Sequence, residues 1–257
     1  MSEDHWIESA DGRLFARRWQ AQGDTQGASL MLLHDSLGCV ELWRDLPERL
    51  ALTTGRTVIA YDRLGFGRSA AHPGRLDFDF IATEAQHSFA AVCRHFALER
   101  FVAVGHSVGG AMAAECAAAF PEQCQAVITL AAQALIEERT LAGIRVAAQA
   151  FAQPGQLERL ERYHGAKAAW VLDAWTRTWL ADEFHHWSLE QTLLRVHCPL
   201  LAIHGEQDEY GSLQHPERFA ALTAGPVQRL TLPGCGHVPQ REQPELVLDA
   251  IARFLRR

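Results

Sequence analysis

Short segments made almost entirely of apolar residues recur along the chain and alternate with longer stretches of helical character. Near-continuous apolar runs are typical of strands that are buried on both faces of a parallel sheet. In the last helical stretch, Leu246, Val247, Ala250, Ile251 and Phe254 form the predicted buried stripe. The alternation predicts an α/β fold with a mostly parallel central sheet and helices on both faces. The predicted strands are 29–33, 57–61, 101–104, 126–130, 200–204 and 227–232, and the predicted helices are 43–53, 80–96, 109–120 and 244–257.

The beginning of the chain departs from this alternation. Residues 6–9 and 14–17 have strand character and flank the pair Asp11-Gly12, which favours a tight hairpin turn. We therefore expect the chain to begin with two short strands that pair antiparallel to each other.

A long interval between the strands at 126–130 and 200–204 contains no convincing strand. Helical character extends through this interval, with one break at a Pro-Gly pair. We predict a helical cap at 133–197, inserted into an α/β core formed by 1–132 and 198–257. Four of the seven tryptophans lie in the predicted cap, namely Trp170, Trp175, Trp179 and Trp187.

The composition is that of an ordinary globular protein with an acidic balance of charge. The chain has 257 residues, 48% hydrophobic and 21% charged, with a formal net charge of -7. Because nucleic acids and anionic membranes bind clustered Lys and Arg, we expect neither as a partner. The N-terminus is polar and acidic and lacks the apolar segment of a secretory signal. We expect a cytoplasmic protein, a monomer or homodimer, whose partner is a small-molecule substrate.

The six cysteines and thirteen histidines form no recognisable metal-binding motif. The chain contains no CxxC pair, no zinc-finger spacing and no HExxH segment. Without an export signal, the six thiols are expected to be reduced. We expect neither a metal ion nor a cofactor.

A serine between small residues follows the strand at 101–104 and opens a helix. The segment Gly105-His106-Ser107-Val108-Gly109 has the spacing and the context of a GxSxG nucleophile elbow. A sharp strand-to-helix turn strains the serine backbone and projects its hydroxyl, while the glycines let neighbouring backbone pass closely. The helix N-terminus beneath the hydroxyl favours negative charge there. The serine of this elbow is therefore the candidate nucleophile.

A serine hydroxyl needs a base, and the base needs a carboxylate that orients it. His237 stands on a loop after the last predicted strand, at the carboxyl edge of the sheet where ligands bind in such folds. Asp208 follows the preceding strand and is the candidate carboxylate, with Glu206 and Glu209 as its rivals. The other plausible place for the orienting carboxylate is the segment 131–134 after the strand at 126–130, and that segment contains no carboxylate.

Two backbone N–H groups are expected to form an oxyanion hole. One is the N–H of Val108, the residue after the nucleophile. The other is expected from the loop that follows the strand at 29–33. In that loop the N–H of Ser36 is the first candidate and that of Leu37 the second.

The order Ser107, Asp208, His237 resembles the α/β-hydrolase family, and with the helical insertion the resemblance covers essentially the whole chain. Residues 62–69 are similar to the family's D-x-x-G-x-G-x-S loop, and 234–237 to its histidine loop. The resemblance implies a Ser-His-Asp hydrolase with a capped active site. Because the nucleophile is serine, the related branches that use Asp, haloalkane dehalogenases and epoxide hydrolases, are disfavoured.

Two positions depart from the family pattern. The family usually has Gly directly after the His of the oxyanion loop, where this chain has Asp35. Asp tolerates positive φ better than most residues, so the loop can keep its shape, and we expect this carboxylate to point away from the oxyanion. The second departure is Ser36, where many members carry a bulky apolar side chain.

Aromatic side chains of the cap are candidate substrate-binding residues. Trp170, Trp175 and Trp179, with Leu172, could line an apolar pocket above the nucleophile. Leu37 of the oxyanion loop is a further candidate for substrate binding. Arg177 is the basic residue of the cap nearest to these tryptophans, and we expect it at the surface.

Polar and thiol side chains next to the catalytic segments are interpreted as structural. His106 precedes the nucleophile, and its side chain should point away from the hydroxyl. His34 is expected to tie its loop together through hydrogen bonds. Cys39 and Cys235 are expected to be buried, unreactive thiols.

Three functions fit these residues, and we favour the first. It is a serine hydrolase that cleaves a small, largely apolar carboxylic ester or thioester through an acyl-enzyme on Ser107. The second is a hydrolase of carbon–carbon bonds in ring-opened aromatic dienoates, or a perhydrolase, using the same triad. The third is a small-molecule receptor with slow turnover, because a fold does not define a function by itself.

Overall fold

The computed structural model describes residues 2–20 and 27–256, which contain one eight-stranded sheet. Its strands are β1 Ser2–Glu8, β2 Arg13–Trp19, β3 Ser29–Leu33, β4 Val58–Tyr61, β5 Phe101–His106, β6 Cys124–Leu130, β7 Leu200–Gly205 and β8 Val227–Leu232. The order across the sheet is β1-β2-β4-β3-β5-β6-β7-β8. β1 and β2 form the antiparallel hairpin, β2 pairs antiparallel with β4, and all other neighbours are parallel. The predicted mostly parallel sheet is confirmed.

Helices cover both faces of the sheet. They are α1 Leu46–Thr54, α2 Phe80–Thr83, α3 Ala90–His95, α4 Val108–Ala119, α5 Glu138–Phe151, α6 Leu157–His164, α7 Ala168–Trp179, α8 Glu190–Leu193, α9 Gln214–Leu222, α10 Pro239–Glu242 and α11 Pro244–Leu255. α1 and α11 share one hydrophobic core with one set of strand side chains. α2, α3, α4 and α9 share a second core with the side chains that point to the opposite face. Burial on two faces explains the continuous apolar runs of the central strands.

Three predicted helices differ from the observed ones in detail. The predicted helix 80–96 is divided by a π-helical turn at Ala85–Phe89. α1 begins at Leu46 because a 3₁₀ turn at Val40–Trp43 precedes it. The predicted stripe of α11 is wrong at Leu246, which is 54% exposed, while Leu248 is buried in its place. The predicted end of that helix at residue 257 lies outside the described residues.

Helices α5 to α8 occupy the interval between β6 and β7, where the cap is predicted. Two 3₁₀ turns at Gly165–Lys167 and Asp182–Phe184 also lie there, together with an isolated antiparallel bridge between Leu135 and Ser188 that the sequence did not indicate. His164, at the end of α6, connects this region to the core. It accepts a hydrogen bond from the Gly67 N–H (2.8 Å) and donates one to the Leu37 carbonyl (3.0 Å). No helix among the described residues is long and apolar enough to cross a membrane.

Candidate active site

Ser107 lies at the sharp turn between β5 and α4. Its backbone has φ 54° and ψ -126°, a conformation that side chains other than glycine rarely adopt. The turn also requires glycine at two neighbouring positions. A Cβ atom at Gly105 would collide with the Gly109 carbonyl, and one at Gly109 with the Leu33 carbonyl. The local geometry is therefore that of the predicted elbow.

The structure brings Ser107, His237 and Asp208 together from three separate loops at the carboxyl edge of the sheet. Ser107 Oγ lies 3.0 Å from His237 Nε2. His237 Nδ1 lies 2.9 Å and 2.8 Å from the two carboxylate oxygens of Asp208. Asp208 Oδ1 also accepts the N–H groups of Tyr210 (2.7 Å) and Gly211 (3.1 Å), which orients the carboxylate. Hydrogen-bond distances thus connect a serine, a base and an orienting acid in that order.

Burial separates Asp208 from the neighbouring acids that were its rivals. Asp208 is only 1% exposed, whereas Glu206 and Glu209 are exposed to solvent. A second histidine, His204, places its Nε2 atom 3.3 Å from Asp208 Oδ2 and 3.2 Å from the Gly211 carbonyl. The candidate carboxylate is therefore contacted by His204 as well as by His237.

The protonation states of this group suit a resting general base. Burial alone would lower the pKa of His237, but the hydrogen bond and the negative charge of Asp208 raise it above the usual value. Burial likewise opposes ionisation of Asp208, and His237 keeps the pKa of that carboxyl below its usual value. A neutral His237 that donates from Nδ1 to the carboxylate leaves Nε2 free to accept the Ser107 proton.

Backbone N–H groups near Ser107 distinguish the two candidates for the second oxyanion donor. Val108 is the first residue of α4, where N–H groups have no partner within the helix. The Leu37 N–H donates to Asp35 Oδ1 at 3.1 Å, so it is already used within its loop. The Ser36 N–H therefore remains the predicted second donor.

The oxyanion loop is held by His34 and Arg63. His34 Nδ1 lies 2.8 Å from the Asp35 carbonyl, and its Nε2 accepts the Arg63 N–H at 3.1 Å. The Arg63 guanidinium donates to the same carbonyl at 2.9 Å. Asp35 does not have a positive φ, which among the described non-glycine residues occurs at Arg44, Ala97, Ser107 and Ala131. The loop therefore accepts Asp in place of the usual Gly without left-handed backbone.

A cavity of about 290 Å³ lies above Ser107. It is lined by Asp35, Ser36, Leu37, His106, Ser107, Gln133, Thr140, Ile144, Trp175, Trp179, Glu209, Tyr210, His237 and Val238. Leu37, Trp175 and Trp179 thus lie where the sequence predicts substrate-binding residues. The lining combines five large apolar side chains with nine polar or titratable ones, and most of its exposed surface is apolar, as is usual in small-molecule sites.

Trp170 is not part of this cavity, and its predicted role in substrate binding is wrong in this structure. Its ring stacks on His72 with 5.1 Å between the ring centroids, and its Nε1–H donates to the Gly74 carbonyl at 2.7 Å. Trp170 instead fastens α7 to the loop that follows β4. Arg177 is exposed, as expected, and pairs with Asp173 at 3.0 Å.

Gln133 is a polar residue of the site that the sequence analysis missed. It follows β6 and is 2% exposed, and its Oε1 lies 3.3 Å from Ser107 Oγ. With the amide turned over, its Nε2 would donate to the hydroxyl while the hydroxyl donates to His237. The signal in the sequence was its place at the carboxyl edge of a strand.

Thiols beside the site are unreactive, and metal ligands are not gathered there. Burial raises the pKa of Cys39 to about 12 and that of Cys235 to about 11. Among residues 2–20 and 27–256, no three His, Cys, Asp or Glu side chains are arranged to hold a metal ion.

Comparison with known proteins agrees with this fold. Residues 29–173, more than half of the chain, match the family model described as alpha/beta hydrolase fold. The chain belongs to the α/β-hydrolase fold family.

Individual relatives are more distant. The chain is 29% identical over 265 residues to the dihydrolipoyllysine-residue acetyltransferase component of the acetoin cleaving system of Pseudomonas putida, covering 96% of this chain and 68% of that protein. It is 34% identical over 103 residues to 1-acylglycerol-3-phosphate O-acyltransferase ABHD5 of Rattus norvegicus, which spans 38% of this chain and only 28% of that protein. Among solved structures, a membrane phospholipase A superposes with a TM-score of 0.78 at 20% identity, covering 99% of this chain and 86% of that one. At this identity the superposition shows the fold alone.

Proposed function

We propose that this protein is a serine hydrolase that cleaves a small, largely apolar carboxylic ester or thioester through an acyl-enzyme on Ser107. The observation that carries the proposal is the chain of hydrogen-bond distances from Ser107 through His237 to Asp208 at the floor of a cavity. The α/β-hydrolase family and relatives named as acyltransferases support acyl chemistry on this serine.

The first half of the reaction transfers the acyl group to the enzyme. Ser107 Oγ attacks the substrate carbonyl carbon while His237 Nε2 takes the hydroxyl proton. The N–H groups of Val108 and Ser36 would bind the oxyanion of the tetrahedral intermediate. The carbon–oxygen or carbon–sulfur bond then breaks, and His237 returns the proton to the departing alcohol or thiol.

The second half releases the acid. A water molecule gives a proton to His237 Nε2 and attacks the acyl carbonyl, and the second tetrahedral intermediate expels Ser107, which regains its proton from His237. Asp208 stays ionised throughout and stabilises the imidazolium that forms in each half.

The lining of the cavity supports a small and mainly apolar substrate. Its volume of about 290 Å³ is near the lower end of the roughly 300–1,000 Å³ that small-molecule sites occupy. Leu37, Ile144, Trp175, Trp179 and Val238 supply its apolar surface. None of the described residues that line it is Lys or Arg, so no lining cation matches the carboxylate of a dienoate.

The test is steady-state hydrolysis of p-nitrophenyl esters from acetate to octanoate. Ser107→Ala is the catalytic blank, and Ser188→Ala, an exposed serine of the cap, is the matched control. We expect turnover that is highest for a short acyl chain, unchanged in the control and lost in Ser107→Ala. Absence of turnover in the wild type together with hydrolysis of a coloured dienoate would overturn the ester assignment.

A further inference from the structure

The triad leaves a second acid–histidine pair beside it unexplained. Asp35 departs from the family pattern, and His106 immediately precedes the nucleophile. His106 Nδ1 lies 3.0 Å from Asp35 Oδ2, and His106 Nε2 lies 2.8 Å from the main-chain carbonyl oxygen of His237. The imidazole therefore bridges the oxyanion loop and the catalytic histidine loop.

We propose that Asp35 and His106 form a second Asp–His pair that positions the catalytic histidine by binding its main-chain carbonyl. The two are positioning residues, since they act through His237 and not on the substrate. The catalytic part of the proposal rests on the serine hydrolase function proposed above.

The two contacts of His106 define the orientation of its ring. Both of its partners, a carboxylate and a carbonyl, are hydrogen-bond acceptors. Each ring nitrogen therefore faces one oxygen, and these two oxygens belong to the two loops that the ring connects. His106 is only 2% exposed, so both contacts are shielded from water.

The carboxylate is suited to this partnership. Burial disfavours the ionised form of Asp35, yet the hydrogen bond and the charge of His106 hold the pKa of that carboxyl well below its usual range. Asp35 Oδ1 accepts the Leu37 N–H at the same time. One side chain thus orders the oxyanion loop with one oxygen and binds His106 with the other.

Other titratable groups around the pair are neutral or complete the charge balance. They come from four segments: His34 and Cys39 of the oxyanion segment, Arg63 after β4, Arg241 of α10, and His237 itself. His34 is neutral because its Nε2 accepts the Arg63 N–H, and burial keeps Cys39 a thiol. The Arg63 guanidinium donates to the Asp35 carbonyl, and Arg241 donates to the Leu42 carbonyl.

The function of the pair follows from where it is attached. The position of the His237 backbone determines whether Nε2 reaches Ser107, and displacement of a catalytic group by about 1 Å can cost about 10²-fold in rate. His106 is covalently next to Ser107 and is bonded to the His237 carbonyl. His106 therefore connects the nucleophile and the base by a short, buried path that is separate from the hydrogen bond between Ser107 and His237.

The kinetic test uses Asp35→Asn, which keeps the shape and removes the charge, and His106→Gln, which keeps one amide donor. We expect each to lower kcat by about 10- to 100-fold with little change in KM. Because both break the same link, the double variant should be no slower than the slower single variant. Losses that multiply in the double variant would overturn the proposal.

The pH profile separates positioning from simple destabilisation. The negative charge of Asp35 helps to raise the pKa of His237, so the acidic limb of kcat/KM should move to lower pH in Asp35→Asn. Asp182→Asn is the matched control, because Asp182 is fully exposed and lies 3.9 Å from His185 Nδ1. An acidic limb that moves equally in both variants, or in neither, would overturn the proposal.

Two readouts do not depend on ester turnover. In ¹⁵N spectra of histidine-labelled protein, the ring signals that disappear in His106→Gln should move in Asp35→Asn, because the carboxylate beside Nδ1 is lost, and the His237 signals should change in both variants. Asp35→Asn should also slow phosphonylation of Ser107 by a p-nitrophenyl phosphonate. His237 signals that stay unchanged in both variants would overturn the proposal, whereas absent esterase activity with both readouts positive contradicts only the ester assignment. If Asp35→Asn does not fold, Asp35→Gly, which installs the usual family residue, replaces it.

Discussion

Ser107 is held in a backbone conformation that costs of the order of 1–3 kcal/mol for a residue with a side chain. In this conformation the hydroxyl points toward His237. It does not form the side-chain hydrogen bond that a serine at a helix N-cap usually makes. The backbone conformation of Ser107 is therefore explained by the position of its hydroxyl as much as by packing.

The carboxylate of Asp208 gives a first prediction at this scale. In Asp208→Asn, the amide cannot stabilise the imidazolium, and we expect kcat to fall by about 10⁴-fold. Because Asp208 raises the pKa of His237, the acidic limb of kcat/KM should also move to lower pH. The profile of residual activity from pH 5 to 9 measures both effects. Glu206→Gln is the control, and equal losses in the two variants would contradict the assignment of Asp208.

Gln133 gives a second prediction at this scale. Gln133→Leu removes a hydrogen-bond partner of Ser107, and we expect up to about a 10-fold loss of kcat. Gln133→Glu places a second carboxylate beside the forming oxyanion and should be slower than Gln133→Leu, because like charges repel. Turnover of the best p-nitrophenyl ester measures this order. Gln191→Glu, at an exposed site of the cap, should leave kcat unchanged.

At the scale of elements, α6 and α7 are fastened to the loop after β4 by polar contacts from the core backbone. Lys167 Nζ donates to the carbonyls of Gly67 and Ser69, each at 2.8 Å, and His164 binds both Gly67 and Leu37. The His164 bond to Leu37 reaches the oxyanion loop directly. The His164 imidazole thus connects the position of the cap to the shape of the oxyanion loop.

Removal of this imidazole tests the connection. His164→Ala leaves the Gly67 N–H and the Leu37 carbonyl without partners, and we expect a loss of about 1–3 kcal/mol in the free energy of unfolding. We also expect a lower kcat/KM, because the Leu37 segment loses a support. Denaturant unfolding and ester turnover measure the two effects. His186→Ala, an exposed histidine of the same region, should change neither, and an intact kcat/KM in His164→Ala would refute the connection.

At the scale of the whole molecule, burial of neutral histidines makes stability depend on pH. Burial lowers the pKa of His34, His164 and His204 relative to the unfolded chain. Unfolding therefore takes up protons below about pH 6.5, and stability falls as the pH drops from there toward the folded-state values. His237 acts in the opposite sense, because its raised pKa favours the folded state until the pH rises through that value.

The melting temperature should accordingly decrease from pH 7 to pH 5. His164→Gln keeps one donor and one acceptor but cannot take up a proton, so the decrease should be smaller in this variant. Calorimetry of both proteins at each pH measures the difference. The carboxyl of Glu137, with a pKa lowered to about 2, loses its contribution only at lower pH and does not interfere. An equal decrease in both proteins would show that His164 does not contribute.

Much of the site could be predicted because its signals are local. The elbow at Ser107 depends on glycines within two residues of it, and the loops of Asp208 and His237 each follow an apolar strand. The parallel sheet then brings its carboxyl ends together, so motifs distant in sequence share one edge. Family, sheet type and candidate triad were therefore determined by the sequence itself.

Tertiary packing decided what depends on contacts between distant segments. Burial, not sequence position, distinguishes Asp208 from Glu206 and Glu209, and the packing of α7 places Trp175 in the cavity but Trp170 against His72. The roles of Gln133 and of the Asp35–His106 pair likewise arise from partners far away in the chain. Local patterns encode the strand, the turn and the helix face, but the environment of a side chain is defined only when other elements pack around it.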